Sequence, residues 1–349
     1  MTVFITYPYI SINPQTMNKT LSILSLVLLS SVLFFISCKS NSETTEETAV
    51  EPDLNISLAQ WSLHKSYFGD GLNGDWEAFG RMLMESPDSV LQGVINPDDF
   101  PSLAASYGIN TIELVNTFYF SKAKDMEYWK TFKASCDEAN VKVGLIMCDA
   151  LGNLGDADSV ARKTAVEKHH DWVDIAKSLG AKTIRVNAAG QGTAEEVAAN
   201  AVKGLTLLGK YGASQGINIV VENHGGYSSD GSWLAGVMAA VNMENVGTLP
   251  DFGNFCMERT ADGCAKEYDR YKGISELMPY AKGVSAKTNN FDADGNETAS
   301  DYKKIFEIIK ASGFKGNVGI EYEGDVMTED EGIIATKALL EKVFAELYK

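Results

Sequence analysis

The stretch of sequence that most constrains the fold is the run 217–224, INIVVENH. Residues 217–221 are mostly β-branched and apolar, which is typical of a strand buried on both faces of a parallel sheet. The run ends in Glu222, Asn223 and His224, and a buried carboxylate needs a partner because its desolvation is very costly. Parallel strands that end in polar residues line the mouth of a (β/α)₈ barrel. The run therefore predicts one strand of such a barrel.

Strand-like apolar runs alternate with helix-like amphipathic runs from residue 56 to the end of the chain. Eight such units favour a closed barrel over a doubly wound sheet, which would usually carry a nucleotide-binding fingerprint. The loop 189–192 follows a strand but lacks the third glycine of that fingerprint. We therefore predict an α/β protein with a single (β/α)₈ TIM barrel over residues 54–349. The predicted strands are 56–61, 110–115, 141–148, 182–186, 217–221, 245–249, 280–287 and 318–322, and the clearest predicted helices are 125–139, 160–179, 194–215 and 329–347.

The residues before the predicted barrel have a different composition. Residues 21–36 are nearly all apolar, follow Lys19 and lead directly into Ser37 and Cys38. This order indicates a secretory signal peptide over residues 1–38. It resembles the lipobox of bacterial lipoproteins, which implies that Cys38 is the lipidated first residue of an exported, membrane-anchored protein; an uncleaved membrane anchor is the alternative. Residues 39–53 are polar and acidic, predict a flexible linker, and loosely resemble the surface-export signals of Bacteroidetes lipoproteins.

The formal charge of the chain is −17, and removal of the signal peptide takes away Lys19 and leaves −18. Nucleic acid is therefore not expected as a partner, because an acidic protein repels the phosphate backbone. We expect contact with a membrane only through the lipid anchor. Besides Cys38 the chain has four cysteines, none in the CxxC spacing of zinc ribbons and redox motifs. A disulfide between Cys256 and Cys264 is left open.

Three carboxylates stand at the ends of predicted strands. Glu222, Asp251 and Glu321 are 29 and then 70 residues apart, which corresponds to one and then two strand–helix units. In a barrel these strand ends converge, so the three carboxylates would repel one another unless a cation compensates them. Oxygen ligands suit Mg²⁺ or Mn²⁺, and we therefore predict a divalent metal site. The alternative is three unrelated acids at the barrel rim, each paired with Lys or Arg.

The motifs VVENH (220–224), LPDFGNF (249–255), KGVSAKT (282–288), GIEYEGD (319–325) and HHDWVDIAKSLGAKTIRVN (169–187) carry a resemblance to a known family. The chain resembles the sugar phosphate isomerase/epimerase superfamily, with its xylose-isomerase-like TIM barrel, over essentially residues 54–349. The resemblance implies that a Glu on strand five, an Asp on strand six, a His on strand seven and a Glu on strand eight hold a metal. Carried over, these positions are Glu222, Asp251, the strand-seven position and Glu321.

The strand-seven position departs from the family pattern. Where the family has His-x-Lys, this chain has Ser285, Ala286 and Lys287. Three alternatives follow: three carboxylates bind the metal together with water, another residue replaces the histidine, or the metal is lost and Lys287 supplies the positive charge. His224 is the nearest candidate for the missing ligand, and Ser285 then becomes a substrate contact.

Other polar residues near predicted strand ends are candidates for binding a sugar. Each has an ordinary structural alternative, such as a hydrogen bond at the rim or an ion pair. His169 and His170 are expected to lie on a packed or solvated helix face. The candidate substrate-binding residues are His64, Glu113, Arg185, Asn187 and Asn254.

The resemblance implies an exported sugar isomerase or epimerase that acts on a small sugar or sugar derivative. Its substrate would bind the metal through the carbonyl and a neighbouring hydroxyl, which acidifies the α C–H. Glu222 or Glu321 would remove that proton, and the opposite carboxylate or Lys287 would return one. Expulsion of a β-leaving group from a 3-keto sugar or glycoside would instead make the protein a lyase or dehydratase. A non-catalytic sugar-binding barrel is the second alternative. An abasic-site endonuclease on the same barrel would need several histidine ligands and a basic groove. This chain is acidic and has four histidines in all, so that function is disfavoured.

Overall fold

Eight parallel strands form the predicted barrel in a computed structural model, which describes residues 53–72 and 74–348. Each strand is a short run that is largely buried, as expected where helices cover a parallel sheet. The barrel strands are β1 (Leu54–Ala59), β2 (Thr111–Val115), β3 (Lys142–Met147), β4 (Thr183–Val186), β5 (Asn218–Glu222), β6 (Val246–Leu249), β9 (Val284–Thr288) and β10 (Gly316–Tyr322), while β7 (Cys256–Thr260) and β8 (Gly263–Glu267) form a separate hairpin. Pairing runs in the order β6-β5-β4-β3-β2-β1-β10-β9.

The ring closes between β6 and β9 through short pairing instead of a full ladder. Isolated parallel bridges join Thr248 to Ala281 and Asp251 to Ser285. The Ser285 N–H donates to the Pro250 carbonyl at 2.9 Å. This pairing sets Asp251 directly beside β9, so that residues from β6 and β9 share one part of the barrel mouth.

The helices surround the barrel, and the four predicted helices are confirmed to within one residue at each end. Thr193 begins one of them with reciprocal capping, because its hydroxyl accepts the Glu196 N–H and the Glu196 carboxylate accepts the Thr193 N–H. The helices are α1 (His64–Phe68), α2 (Trp76–Glu85), α3 (Phe100–Ser106), α4 (Met126–Glu138), α5 (Ser159–Leu179), α6 (Ala194–Gln215), α7 (Gly231–Val241), α8 (Arg270–Leu277), α9 (Tyr302–Ser312) and α10 (Glu329–Leu347).

Three features differ from the sequence prediction or were left open by it. The seventh barrel strand begins at Val284 instead of residue 280, because a 3₁₀ turn over Met278–Tyr280 precedes it. The hairpin β7–β8 was not predicted, since its strands are mostly exposed and lack the alternation of apolar and polar residues that marks a half-buried strand. The disulfide that was left open is formed, with 5.7 Å between the Cα atoms of Cys256 and Cys264.

The predicted signal peptide, the lipidation site Cys38 and nearly all of the predicted linker lie outside the described residues. The described residues belong to one compact unit that spans Ala49–Lys349. Within residues 53–72 and 74–348, no helix has both the length and the apolar character needed to cross a membrane.

Candidate active site

Three buried carboxylates meet at the carboxyl ends of the barrel strands. Glu222 is the last residue of β5, Asp251 follows β6, and Glu321 is the penultimate residue of β10. One oxygen of each carboxylate lies within 4.8 Å of those of the other two. All three side chains are at most 4% exposed, so water screens little of their mutual repulsion.

Asp251 is held in place by the loop that follows β6. Its Oδ1 accepts the backbone N–H groups of Gly253 at 2.8 Å and Asn254 at 2.7 Å. The Asn223 side chain accepts the Asp251 N–H at 2.8 Å and donates to its carbonyl at 3.0 Å. Asn254 in turn donates its amide to Glu222 at 3.2 Å. The motif around Asp251 therefore positions two of the three carboxylates.

Ser285 occupies the strand-seven position where the related pattern has histidine. Its hydroxyl lies 2.7 Å from Asp251 Oδ2 and 3.3 Å from Glu321 Oε2. The hydroxyl carries one proton, and the shorter distance favours donation to Asp251. Burial raises the pKa of the Asp251 and Glu321 carboxyls, although the nearby Lys287 works against this effect.

Lys287 is the cation inside this group. Its ammonium lies 3.0 Å from Glu321, 3.2 Å from Glu323 and 3.8 Å from Asp251. Burial lowers the pKa of Lys287, but the three carboxylates outweigh burial and raise this pKa well above its ordinary value. Lys287 therefore stays protonated, which suits a fixed positive charge better than a proton donor. Trp61 completes this side of the site, because its indole N–H donates to Glu323 at 2.5 Å.

A second buried cation holds the opposite side. Arg185 on β4 pairs with Glu222 at 2.7 Å and with Asp149 at 2.6 Å. Asn187 also donates to Asp149, at 2.7 Å. Burial would raise the pKa of Asp149, but Arg185 outweighs burial and lowers it below the ordinary value. Arg185 and Asn187 thus orient acidic groups at the strand ends.

The arrangement of donors fits one small divalent cation. Opposite ligands of octahedral Mg²⁺ lie about 4.2 Å apart, since each Mg–O distance is about 2.1 Å. The three carboxylate oxygens lie within 4.8 Å of one another, so a small inward shift of the side chains would let one ion contact all three. Five carboxylates surround only two cations, Arg185 and Lys287, so the site retains negative charge. The buried acidic group is therefore consistent with a divalent metal, held by Glu222, Asp251 and Glu321.

The structure does not bring His224 into the carboxylate group. The residue is exposed, and its backbone N–H donates to the Ser228 hydroxyl at 3.0 Å. The strand ends at Glu222 and passes into a turn with Gly225 and Gly226 at positive φ, so the strand alternation that would place His224 on the same face as Glu222 does not continue. No histidine of the described residues joins the three carboxylates. Two alternatives therefore remain: the three carboxylates bind a metal together with water, or the metal is absent and Lys287 supplies the positive charge.

His64 lies at the other edge of the mouth. Its ring stacks on Trp61 with 4.9 Å between ring centroids, and its Nδ1 lies 2.8 Å from the Trp61 carbonyl. The Glu329 carboxylate is 3.9 Å away. The ring is thus fixed next to the Trp61 and Glu323 side of the site, where a contact with a substrate hydroxyl remains a prediction.

Glu113 lies in the barrel interior, deeper than the carboxylate group. It is 2% exposed, and its Oε1 accepts the Ser57 hydroxyl at 2.6 Å. A Cβ on Gly319, two residues before Glu321, would lie 2.7 Å from Glu113 Oε2, so a side chain there would require this carboxyl to move. Burial raises the pKa of Glu113 to about 7, and nearby Glu321 adds to the effect.

Glu113→Gln is expected to stabilise the metal-free protein at pH 8 and to have little effect below pH 4.5. Between pH 4.5, the ordinary value, and about 7 the folded protein keeps a proton that the unfolded chain has lost. The wild-type protein therefore loses up to about 3 kcal/mol of stability as pH rises through this window, and the neutral amide avoids that loss. Urea unfolding at several pH values measures the effect, with the exposed Glu307→Gln as control. If the difference in free energy of unfolding between wild type and Glu113→Gln is the same at pH 5 and pH 8, the raised pKa of Glu113 is contradicted.

Three site residues were not assigned roles from the sequence. Glu323 shares Lys287 with Glu321, Asp149 shares Arg185 with Glu222, and Asn223 positions Asp251. Each follows a predicted strand, so the position of a polar residue at a strand end was the signal that could have identified it.

Comparisons with known proteins place this site in a recognised fold. The model of the xylose isomerase-like TIM barrel matches residues 101–343. Among solved structures, the IOLI protein with a bound zinc atom aligns with a TM-score of 0.62 at 15% identity, covering 84% of this chain and 99% of that chain. A D-tagatose 3-epimerase-like protein aligns with a TM-score of 0.58 at 17% identity, covering 84% of this chain and 98% of that chain. The 3-keto-D-glucoside 4-epimerase YcjR from E. coli aligns with a TM-score of 0.56 at 13% identity, covering 71% of this chain and 94% of that chain. The comparison with curated proteins gives no match.

The three structural matches are too distant in sequence to carry more than the fold. The family match, in contrast, covers more than half of the chain and includes all three carboxylates. It confirms the superfamily that the motifs resembled, while the lipoprotein type stays a prediction. The chain belongs to the family of xylose isomerase-like TIM barrels.

Proposed function

We propose that the protein is a sugar isomerase or epimerase that removes a proton from the carbon next to a sugar carbonyl. The observation that carries the proposal is the meeting of Glu222, Asp251 and Glu321 at the barrel mouth, with one oxygen of each within 4.8 Å of the others. Active sites of this fold lie at this face. The similarity to a D-tagatose 3-epimerase-like protein and to a keto-glucoside epimerase supports sugar chemistry.

Glu321 and Glu222 are the proposed acid/base pair, on opposite sides of the group. Burial raises the pKa of Glu321, which makes its carboxylate a stronger base for a weakly acidic C–H. Glu222 pairs with Arg185 at 2.7 Å and faces the cluster from β5. A proton removed by one carboxylate and returned by the other to the opposite face gives an epimer. Return to the neighbouring carbon gives an isomer.

Lys287 supplies fixed positive charge in this scheme. Its ammonium is already paired with Glu321 and Glu323, so it orients these carboxylates and stabilises negative charge that develops on a substrate oxygen. A divalent ion at Glu222, Asp251 and Glu321 would polarise the sugar carbonyl and acidify the adjacent C–H. We propose Mn²⁺ or Mg²⁺ because the donors are all oxygen.

A non-catalytic sugar-binding barrel explains the cluster less well. Three carboxylates within 4.8 Å of one another in a buried site destabilise the fold, and binding of a neutral sugar does not require them. Retention of such a cluster is typical of catalysis, where pKa values are adjusted by proximity and burial.

The direct test is to incubate the protein with a panel of keto-sugars and 3-keto-glycosides and to identify the products by NMR. A change of configuration at one carbon, or a move of the carbonyl, supports the proposal. Release of a β-substituent instead assigns the protein as a lyase or dehydratase on the same enediolate. Binding of a sugar without any product assigns a binding barrel.

The purified protein is expected to contain about one equivalent of divalent metal per chain, because three carboxylates and a buried site favour tight binding. Metal analysis before and after treatment with a chelator measures this, and Mn²⁺ is expected to restore the activity that the chelator removes. Less than about a tenth of an equivalent, with no rescue by Mn²⁺, rules out a metal enzyme and leaves Lys287 as the cation of the site.

We propose that the protein is exported and anchored to the bacterial membrane through lipid on Cys38. The support is the apolar run 21–36 that precedes this cysteine. Cys38→Ser is expected to move the protein from the membrane fraction to the soluble exported fraction. If the variant stays in the membrane, the apolar run is an uncleaved anchor.

A further inference from the structure

A large cavity lies next to the carboxylate group on the same face of the barrel. Its volume is about 570 Å³, within the range of about 300–1,000 Å³ that is usual for sites of drug-sized ligands. Its walls are the loops that follow β3, β4 and β5 together with the hairpin β7–β8. Glu222, Asp251 and Glu321 are not among its lining residues. The cavity is therefore additional to the space directly at the carboxylates.

A chain of polar contacts connects this cavity to the carboxylates. Asn187 lines the cavity and donates to Asp149, which pairs with Arg185. Arg185 in turn pairs with Glu222 at 2.7 Å. The wall of the cavity thus stands three contacts from Glu222, a proposed acid/base residue.

His169 is the buried polar group of this cavity. It is 3% exposed, and its Nδ1 lies 2.7 Å from the Ala165 carbonyl on the preceding turn of α5. Burial lowers the pKa of His169 to about 4, so the ring is neutral at pH 7. Because Nδ1 donates to the Ala165 carbonyl, the proton-free Nε2 of the neutral ring is an acceptor, and His169 lines the cavity. A ligand hydroxyl can donate to this nitrogen.

The remaining walls combine an aromatic surface with polar groups. Tyr227 is 37% exposed and stacks on Trp233, with 5.9 Å between ring centroids. The hairpin adds Met257 and the pair of Glu258 and Lys266, which lie 3.6 Å apart. An aromatic ring together with hydrogen-bonding groups is the chemistry that suits a pyranose ring.

We propose that this cavity binds a second sugar ring, so that the substrate is a keto-sugar in glycosidic linkage and not a free keto-monosaccharide. The inference rests on the proposed function, because it assigns the reacting ring to the carboxylate group. The disulfide between Cys256 and Cys264 braces the hairpin that forms one wall of this second subsite.

Calorimetric binding tests the inference without relying on turnover. The probes are the 3-keto derivatives of trehalose, maltose and cellobiose, each compared with the methyl 3-keto-glucoside of the same anomeric configuration. At least one disaccharide is expected to bind about tenfold more tightly than its methyl counterpart. Equal affinity for both members of every pair overturns the inference.

Two variants assign the effect to this cavity. His169→Phe and Tyr227→Ala are each expected to weaken disaccharide binding about five- to tenfold and to leave the affinity for the methyl glucoside nearly unchanged. His170→Phe is the matched control, because His170 lies on the same helix but stacks on Tyr211 at 3.6 Å and does not line the cavity. Tyr227→Ala keeps the test valid if the buried His169 variant does not fold. If both variants fold and bind the disaccharide as tightly as the wild type, the subsite is contradicted.

Failure of the two proposals can be told apart. A disaccharide preference without any chemical change in the sugar retains the subsite and rejects the isomerase. Turnover of keto-monosaccharides at the same kcat/KM as keto-disaccharides retains the isomerase and rejects the subsite.

Discussion

Glu321→Gln and Glu222→Gln are each expected to lower kcat by about 10²–10⁴-fold while the fold stays intact, because an amide cannot accept the proton of a C–H bond. The two carboxylates face one cluster from β10 and β5, and both are almost fully buried. Steady-state kinetics with the best keto-sugar of the panel measures the loss, and circular dichroism verifies folding. Removing either residue removes one half of the proton transfer, so the double variant is not expected to be much slower than the slower single variant.

The exposed Glu307→Gln on α9 is the matched control and should retain wild-type kinetics. Retained activity in a folded Glu321→Gln or Glu222→Gln variant excludes that residue as the acid/base. If only one variant is inactive, a single carboxylate both removes and returns the proton. The reaction is then an isomerisation that uses one base.

Lys287→Met is expected to destabilise the protein by about 3–5 kcal/mol and to remove activity, because it leaves buried carboxylates without their cation. Lys287 lies 3.0 Å from Glu321 and 3.2 Å from Glu323, and it is 6% exposed. Urea unfolding measures the loss. Added Mn²⁺ should restore part of the stability, since a divalent ion replaces the missing positive charge at the same carboxylates.

The double variant Lys287→Met/Glu321→Gln is expected to be more stable than Lys287→Met alone, because it also removes one unpaired charge. The exposed Lys210→Met is the control for loss of a lysine and should change stability by less than about 0.5 kcal/mol. Additive effects of the two substitutions contradict a direct ion pair between Lys287 and Glu321.

The barrel and the convergence of the carboxylates could be predicted because both depend on local patterns. Apolar β-branched runs that alternate with amphipathic helices determine the order of the strands, and the parallel arrangement then brings all strand ends to one face. Glu222, Asp251 and Glu321 meet for this reason. Arg185 was identified from its position in β4, although its pairing with Asp149 depends on side-chain directions that a strand pattern does not specify.

Other features depend on tertiary contacts without a local signature. His224 stands two residues after Glu222, yet the strand ends at Glu222, and the imidazole is exposed and lies outside the carboxylate group. Ser285 stands where the pattern has a metal-binding imidazole, and only the structure shows that its hydroxyl lies within hydrogen-bond distance of both Asp251 and Glu321. The cavity beside His169 depends on three loops and a hairpin that meet in space, so no single motif predicts it.

The measurement that tests the central claim most directly is proton exchange in D₂O. The protein, supplied with Mn²⁺, is incubated with each keto-sugar of the panel, and NMR follows the C–H next to the carbonyl. The account predicts that deuterium enters at this carbon at a rate that falls at least about 100-fold in Glu321→Gln. Product formation with no deuterium at the α carbon, in wild type and variant alike, would contradict enolisation by this cluster.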